Sequence, residues 1–157
     1  MKNIGLVLVM SMMILSCNLN QSESKDTIQK QQTIVQEEAN RDGVFIHITE
    51  GYNDVHRVLM PLKMAMLMAD DKDVLIYMDI HSPELLVKNA KDESLSEFES
   101  IQSYIKQLLD KNVGICVCPT CLKVAGYEAS DLMAGIQLAD KEKFFNFTKG
   151  RILNLDY

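Results

Sequence analysis

Short apolar runs rich in β-branched residues alternate with helical patterns along this chain, and this alternation constrains the fold most strongly. Three runs are compact enough to be buried strands, at residues 44–49, 74–79 and 113–118. Two further strands are predicted at residues 135–139 and 151–155, again with helical patterns before them. Five strands alternating with helices predict a doubly wound α/β fold, in which helices cover both faces of a parallel sheet.

The helical segments carry more specific signals. Residues 55–69 are apolar almost all round, which predicts a buried helix, and Pro61 inside it predicts a kink or a division into two shorter helices. An amphipathic helix follows the second strand, with a capping box at Ser94 or Ser96 and an end at Asn112. A last helix is predicted at residues 140–149, with these side chains turned inward: Phe144, Phe145 and Phe147.

The first 17 residues have the pattern of a secretory signal. A basic start precedes an apolar stretch that is too short to span a bilayer, and a small residue stands before Cys17. Residues 14–17, Ile-Leu-Ser-Cys, resemble the lipobox of bacterial lipoproteins. The resemblance implies lipidation of Cys17 and an exported protein anchored to a bacterial membrane, on the periplasmic side or the cell surface. The alternative is an ordinary signal peptide.

The next segment is polar. Residues 18–42 contain few large apolar side chains, which predicts a flexible linker, with a short helix that includes Ile28, Ile34 and Val35 as the alternative. Residues 43–157 then form a single domain of ordinary size. The net charge of −6, with no cluster of Lys or Arg, argues against nucleic acid as a partner. The sequence implies no cofactor.

Three of the four cysteines, Cys116, Cys118 and Cys121, lie where the third strand meets the next helix. Cys118 and Cys121 form the motif Cys-Pro-Thr-Cys at this strand-to-helix turn, where the start of a helix favours a thiolate. Their spacing suits a disulfide, a shared persulfide or a pair of metal ligands. Cys116 is predicted to be a small buried hydrophobic residue.

Parallel sheets bind ligands outside the carboxyl ends of their strands. Glu50, His81 and Cys118 follow the first, second and third strands and are therefore candidates for one shared site. A histidine near a thiol lowers the pKa of that thiol or carries its proton. The candidate catalytic residues are thus Cys118, Cys121, His81 and Glu50, whereas His47 is predicted to be a hydrogen-bonded core side chain.

The residues around Cys116, Cys118 and Cys121 resemble those of a known family. Residues 114–126, Gly-Ile-Cys-Val-Cys-Pro-Thr-Cys-Leu-Lys-Val-Ala-Gly, followed by 131–139, Asp-Leu-Met-Ala-Gly-Ile-Gln-Leu-Ala, resemble the DsrE/DsrF-like family of sulfur-relay proteins and its YchN-like branch. By position, Cys118 matches the sulfur-carrying cysteine of the family, and Cys121 matches the second cysteine of that branch. The resemblance implies a flavodoxin-like fold, a homotrimer or homohexamer, and a persulfide passed between proteins.

Four functions follow from these residues. In the leading one, Cys118 takes a sulfane sulfur from a donor, holds it as a persulfide and yields it to an acceptor, as a sulfurtransferase or sulfur carrier does. The second is a thiol–disulfide redox protein that uses Cys118 and Cys121 with a redox partner, which an exported location favours. The third is binding of copper(I) or zinc by Cys116, Cys118 and Cys121. The fourth is a binding or assembly protein without chemistry.

Overall fold

The computed structural model describes residues 27–31 and 41–157. The predicted signal, the lipobox at Cys17 and most of the predicted linker lie outside these residues. Within the linker, residues 27–31 form a short helical segment whose side chains are exposed. Among the described residues, the helices are all too short or too polar to cross a membrane.

One parallel sheet organises residues 41–157. Its strands are β1 (Gly43–Ile48), β2 (Asp73–Met78), β3 (Gly114–Val117), β4 (Gln137–Leu138) and β5 (Ile152–Asp156). They lie in the order β4-β3-β2-β1-β5, and every neighbouring pair is parallel. The predicted α/β fold with a five-stranded parallel sheet is confirmed, and the ends of the strands differ from the prediction by no more than two residues.

Four helices connect these strands: α1 (Val55–Met68), α2 (Ile101–Asp110), α3 (Pro119–Val124) and α4 (Lys141–Asn146). Short 3₁₀ segments lie at Tyr52–Asp54, Ser82–Leu86 and Ala129–Asp131. The connections from β1 to β4 all step across the sheet in one direction, whereas the connection from β4 to β5 runs back past three strands. Because such crossovers are right-handed, this reversal puts α4 on the face opposite to α1 and α2.

The face under α1 and α2, here called the core face, is closely packed. Alternate residues of the strands point into it, and their side chains are buried together with those of the two helices. The fully buried members include Ile46, Ile76, Ile115, Leu59, Leu62, Ile105 and Leu108. This face contains the hydrophobic core of the domain.

The opposite face, here called the aromatic face, carries rings instead. Phe45 and His47 of β1 and Tyr77 of β2 are half-buried there, with Cys116 of β3 in register beside Tyr77. Phe144 of α4 covers them edge-on, with its ring centroid 5.6 Å from Phe45 and 5.1 Å from Tyr77. The face is therefore only partly closed.

Phe145 departs from the prediction, because its side chain is 69% exposed. Helix α4 has six residues and begins at the cap Asp140, so it presents Phe144 to the sheet and turns the next residue to solvent. The predicted inward position of Phe145 is wrong.

Helix α1 is a single helix of 14 residues that includes Pro61. Of the two predicted outcomes, a division into two shorter helices is therefore wrong, and a kink stays a prediction. A proline in a helix removes one backbone hydrogen bond. Leu59 and Leu62 on either side of Pro61 are fully buried, and their packing on the core face holds the helix together.

Helix α2 begins later than the sequence predicts, so the capping boxes at Ser94 and Ser96 are wrong. Its N-cap is Ser100, whose hydroxyl accepts the backbone N–H of Ser103 at 3.3 Å. The preceding segment is held by bonds to the first turn of α2 instead, because the Asp92 carboxylate accepts the backbone N–H of Gln102 at 3.0 Å. At the other end, Asn112 has a φ of 61°, which confirms the predicted left-handed end.

Candidate functional site

Cys118 stands at the carboxyl end of β3. Its backbone N–H donates to the carbonyl oxygen of Met78 at 2.9 Å, so it is the last residue tied to β2 before the chain turns into α3. As the N-cap of α3, its sulfur accepts the backbone N–H of Cys121 at 3.3 Å. The half-buried sulfur is thus fixed at the sheet edge where parallel folds bind ligands.

The Cys118 sulfur is surrounded by hydrogen-bond donors. Burial alone raises the pKa of this thiol, but the backbone N–H and the side chain of Cys121, the Tyr77 hydroxyl and the Thr120 backbone N–H outweigh burial and lower its pKa overall. Hydrogen bonds to a charged form favour that form. The site therefore stabilises Cys118 as a thiolate.

Cys121 has the opposite tendency. Burial and the hydrogen bond with Cys118 raise the pKa of the Cys121 thiol, and a backbone hydrogen bond with Ile80 only partly opposes them. Because that bond favours the thiolate, its donor is the Ile80 N–H. Both cysteines are free, and Cys118 is the one of the two whose thiolate its hydrogen bonds favour.

The loop after β2 supplies the Ile80 donor in an unusual conformation. Ile80 has a φ of 53°, in the left-handed region that β-branched residues rarely adopt. Its neighbours hold it there, since the His81 N–H donates to the Thr49 carbonyl oxygen at 3.0 Å and the Ser82 hydroxyl donates to the Ile48 carbonyl oxygen at 2.9 Å. Strain that is held by its surroundings is typical of functional sites.

His47 links three strands beside this pair of thiols. Its Nε2 lies 2.9 Å from a carboxylate oxygen of Asp79, and its Nδ1 lies 2.9 Å from one of Asp156. The imidazole also stacks on the Tyr77 ring, with centroids 5.3 Å apart. The predicted hydrogen bonding of His47 is confirmed, but its side chain is 25% exposed on the aromatic face, so its predicted core position is wrong. Its contacts extend from the carboxyl end of β5 to Tyr77.

His81 and Glu50 lie on the same edge but do not touch the sulfurs. The side chain of His81 is exposed, and no hydrogen bond to either cysteine involves it within residues 41–157. Glu50 lies 4.0 Å from the Arg57 guanidinium at the start of α1. Their catalytic roles stay predictions.

Cys116 confirms the prediction of a small buried residue, since it is 1% exposed. It lies beneath α4 in a groove of about 400 Å³, where burial raises the pKa of its thiol although Lys143 acts in the opposite direction. In the part of the chain that the structure describes, no three His, Cys, Asp or Glu side chains are arranged to hold a metal ion. The geometry does not favour the three-cysteine metal site.

A comparison with sequence models of known families identifies the family of this domain. The sequence model of the DsrE/DsrF-like family matches residues 43–150, which include β1 to β4 and end just before β5. The chain belongs to the DsrE/DsrF-like family. Membership implies a function related to sulfur relay in general, and proteins of this family typically form oligomers.

Solved structures support the fold of this DsrE/DsrF-like domain. It is similar to the ychN protein from E. coli, with 13% identity and a TM-score of 0.53 over 73% of this chain and 99% of that chain. It is also similar to MTH1491, a protein of unknown function from Methanobacterium thermoautotrophicum, with 20% identity and a TM-score of 0.50 over 72% and 98% of the two chains. No curated protein sequence matches the chain.

Sequence reasoning missed two residues of this DsrE/DsrF-like site, Tyr77 and Ile80. The sequence pattern could have pointed to Tyr77, because a tyrosine in an otherwise aliphatic buried strand needs a partner for its hydroxyl. Its register beside Cys116 puts it on the same face as the cysteines. Ile80 gave no signal, since a β-branched residue predicts an extended backbone.

Proposed function

We propose that this DsrE/DsrF-like protein carries sulfane sulfur on Cys118 as a persulfide. One observation carries the proposal: the half-buried Cys118 sulfur caps the start of α3 and accepts the backbone N–H of Cys121 at 3.3 Å. The thiolate is the form of cysteine that attacks sulfur. This arrangement stabilises it while leaving the sulfur partly exposed to a donor.

Loading of Cys118 is a displacement without net oxidation. The Cys118 thiolate attacks the outer sulfur of a donor persulfide or polysulfide, a new S–S bond forms on Cys118, and the donor's S–S bond breaks. The donor thiolate leaves with the electron pair and takes up a proton from solvent. The product is a Cys118 persulfide.

Unloading has two routes, which differ in where the sulfur goes. An acceptor thiolate that attacks the outer sulfur receives it, and the Cys118 thiolate leaves. Alternatively, Cys121 attacks the inner sulfur, which forms a Cys118–Cys121 disulfide and releases hydrogen sulfide. Cys121 follows Cys118 by three residues and its backbone N–H bonds the Cys118 sulfur at 3.3 Å, which favours this second route.

His81 and Glu50 belong to the approach to the site in this proposal. His81 follows Ile80 in the loop after β2, and its side chain is exposed, so it is available to an incoming donor or acceptor. Glu50 lies after β1, one strand further along the same edge. Their replacement should change the dependence of transfer on partner concentration more than the loading of Cys118.

The setting of this chemistry is also a proposal. Lipidation of Cys17 would hold the exported domain on a bacterial membrane, on the periplasmic side or at the cell surface. A homotrimer or homohexamer is the assembly that the family resemblance favours. Gel filtration with light scattering would measure the number of subunits directly.

Intact mass of the chain from residue 17, with Cys17→Ser so that the domain holds the remaining thiols, tests the carrier function. After treatment with polysulfide and trapping, we expect a gain of ~32 Da, which is one sulfur atom. The gain should be lost in Cys118→Ser and retained in Cys116→Ser, a matched control at the buried thiol. A loss of ~2 Da with no sulfur gained would indicate a disulfide instead, and the carrier proposal would fail.

A further inference from the structure

A pocket of about 530 Å³ lies along helix α3, beside the turn that carries the two cysteines. Its walls come from one side of α3, from the chain that follows α3, and from the edge strand β4. The lining residues include Pro119, Leu122, Lys123, Tyr127, Glu128 and Leu138. The volume is within the range of pockets that bind small molecules in proteins.

The end of α3 shapes this pocket. Gly126 has a φ of 87°, and its backbone N–H donates to the Lys123 carbonyl oxygen at 3.0 Å. The next N–H, that of Tyr127, donates to the Leu122 carbonyl oxygen at 3.0 Å. These two bonds and the left-handed glycine form a Schellman ending, which turns the chain back at the end of the helix. Backbone geometry therefore brings Glu128 to the same pocket as Lys123.

The floor of the pocket is apolar. Leu122 is 2% exposed and belongs to the hydrophobic core, and Tyr127 is half-buried against that core. Leu138, on the edge strand, keeps 37% of its surface exposed. An apolar floor with a few polar groups at its rim is the usual composition of a small-molecule site. A ligand in this pocket would cover apolar surface that now faces solvent.

The rim carries two opposite charges, from Lys123 and Glu128. Both side chains are exposed, and neither takes part in an ion pair among residues 41–157. The backbone of Glu128 is fixed, because its N–H donates to the Asp131 carboxylate at 2.8 Å. An ammonium group binds a carboxylate, and a carboxylate binds an ammonium group. The rim is therefore complementary to a small molecule that carries both groups, such as an amino acid or a short peptide.

The pocket also reaches the turn that holds Cys118. Pro119 lines it, and this residue is the first of α3 and directly follows Cys118, the N-cap. Lys123 stands four residues further along the helix, which is a rise of about 6 Å. A peptide whose carboxylate binds Lys123 can thus extend along α3 until its own cysteine side chain lies at the Cys118 turn. The position of the pocket favours a peptide that contains a thiol.

We propose that this pocket binds the sulfur donor, and that the donor is the persulfide of a small peptide with a free carboxylate and a free ammonium group. Lys123 binds the carboxylate and Glu128 binds the ammonium group. The inference deepens the proposed function and rests on it for the fate of the sulfur. The Cys118 thiolate attacks the outer sulfur of the bound persulfide, and the new S–S bond forms as the S–S bond of the peptide breaks. The peptide leaves as a thiolate and takes up a proton from solvent.

Binding is tested apart from transfer with S-methylglutathione, a peptide that has both charged groups but no sulfur to give. Calorimetry on the chain from residue 17, with Cys17→Ser, measures its dissociation constant. Lys123→Gln and Glu128→Gln should each weaken binding about tenfold, because each removes one hydrogen bond between charged groups. Lys141→Gln, at an exposed lysine of α4 outside the pocket, is the matched control and should change nothing. Ala129→Trp, which fills the pocket from its wall, should abolish binding.

The position of the bound peptide is tested by alkylation of Cys118 with iodoacetamide, measured as a function of pH. A peptide that lies at the Cys118 turn should slow this reaction when it saturates the native chain. The same concentration should protect Lys123→Gln much less. Transfer is then compared for two donors, glutathione persulfide and inorganic polysulfide. Below saturation, Lys123→Gln should slow loading from glutathione persulfide about tenfold and leave loading from polysulfide unchanged.

The results separate this inference from the carrier function. If S-methylglutathione did not bind, or bound Lys123→Gln and Ala129→Trp as tightly as the native chain, the peptide site would be overturned. Binding that leaves Cys118 unprotected would overturn the role of the peptide as donor. A gain of sulfur from polysulfide without any peptide binding would retain the carrier function and remove the peptide site. Peptide binding that protects Cys118, with no sulfur gained from either donor, would retain the site and remove the carrier function.

Discussion

The two faces of the sheet are built from alternate residues of the same strands, yet they have different chemistry. On the core face, Ile46, Ile76 and Ile115 are fully buried beneath α1 and α2. On the aromatic face, the residues next to them in sequence, His47, Tyr77 and Cys116, are rings and a thiol beneath the short α4. Because side chains of a strand alternate between the two faces, residues that stabilise the fold and residues that could react follow one another along each strand.

The difference shows why the candidate site lies where it does. Cys116 lies on the aromatic face beneath α4, where burial, with the charge of Asp140 adding to it, raises the pKa of its thiol. Two residues later, Cys118 reaches the strand end, where backbone N–H groups and the Tyr77 hydroxyl become available. Cysteine is therefore disfavoured as a thiolate at position 116 and favoured as a thiolate at position 118, on the same face of the sheet.

The largest effect should come from the core face. Leu62 of α1 is fully buried, and Leu62→Ala leaves a cavity that should lower the free energy of unfolding by about 3 kcal/mol. Urea denaturation measures this loss. The alkylation profile of Cys118 in the folded protein should not change, and a change would show that the two faces are not independent.

Phe144 on the aromatic face should give a smaller loss of stability with a clear effect on the site. It is half-buried, so Phe144→Ala should cost about 1–2 kcal/mol. Because its ring holds Tyr77 in place, alkylation of Cys118 below its pKa should also slow. Phe145→Ala, at the exposed neighbour, is the matched control and should do neither.

The two carboxylates on His47 should differ in importance. The Asp79 side chain is 17% exposed and that of Asp156 is 67% exposed, although both lie 2.9 Å from the imidazole. Asp79→Asn should lower the free energy of unfolding by about 1 kcal/mol, and Asp156→Asn by less than about 0.5 kcal/mol. Equal losses would contradict the view that solvent weakens the outer pair.

The smallest effect is a pH dependence that has opposite signs at the two cysteines. The lowered pKa of Cys118 contributes stability that is present above its ordinary value of 9.0 and lost as the pH falls through the lowered value. The raised pKa of Cys121 contributes stability that is present below that value and lost as the pH rises through the raised one. Each contribution is the difference in the free energy of unfolding between the native chain and the variant in which that cysteine is replaced by serine.

Urea unfolding from about pH 7 to 10 measures both contributions. The advantage of the native chain over Cys118→Ser should grow with pH, and its advantage over Cys121→Ser should shrink. If both differences changed in the same direction with pH, the pKa values of the two cysteines would not be shifted in opposite directions.

The sequence predicts the sheet well because its signals are local. The runs at residues 44–49 and 74–79 differ by one residue from β1 and β2, and Asn112 ends α2 as expected. The start of α2 was wrong because three serines there are equally good caps, and the choice of Ser100 depends on bonds to Asp92 and Glu93 in the preceding loop. Those bonds are tertiary and leave no pattern in the sequence.

The candidate site divides in the same way. The Cys118–Cys121 motif and its place at a strand end are visible in the sequence, and Tyr77 gives a partial signal as a tyrosine in an aliphatic strand, whereas the Ile80 N–H gives none. These donors come from β2 and the loop after it, and their approach depends on strand register and on one left-handed residue. The sequence pointed to the His81 side chain because an imidazole can act on a thiol. In the structure, it is the backbone N–H of the preceding residue, Ile80, that acts on the Cys121 thiol.

The reversal of direction before β5 has a consequence for the order in which the protein folds. Thr49 bonds Tyr157, 108 residues further along, whereas the strands that frame the two thiols are close together in the chain. Closing a longer loop adds little to the equilibrium cost but delays contacts that depend on it. We therefore expect β2, β3 and the cysteine turn to assemble before β5 docks. The chain would then hold a reactive thiolate while its sheet is still open at β1, a period in which an oxidising environment can modify it.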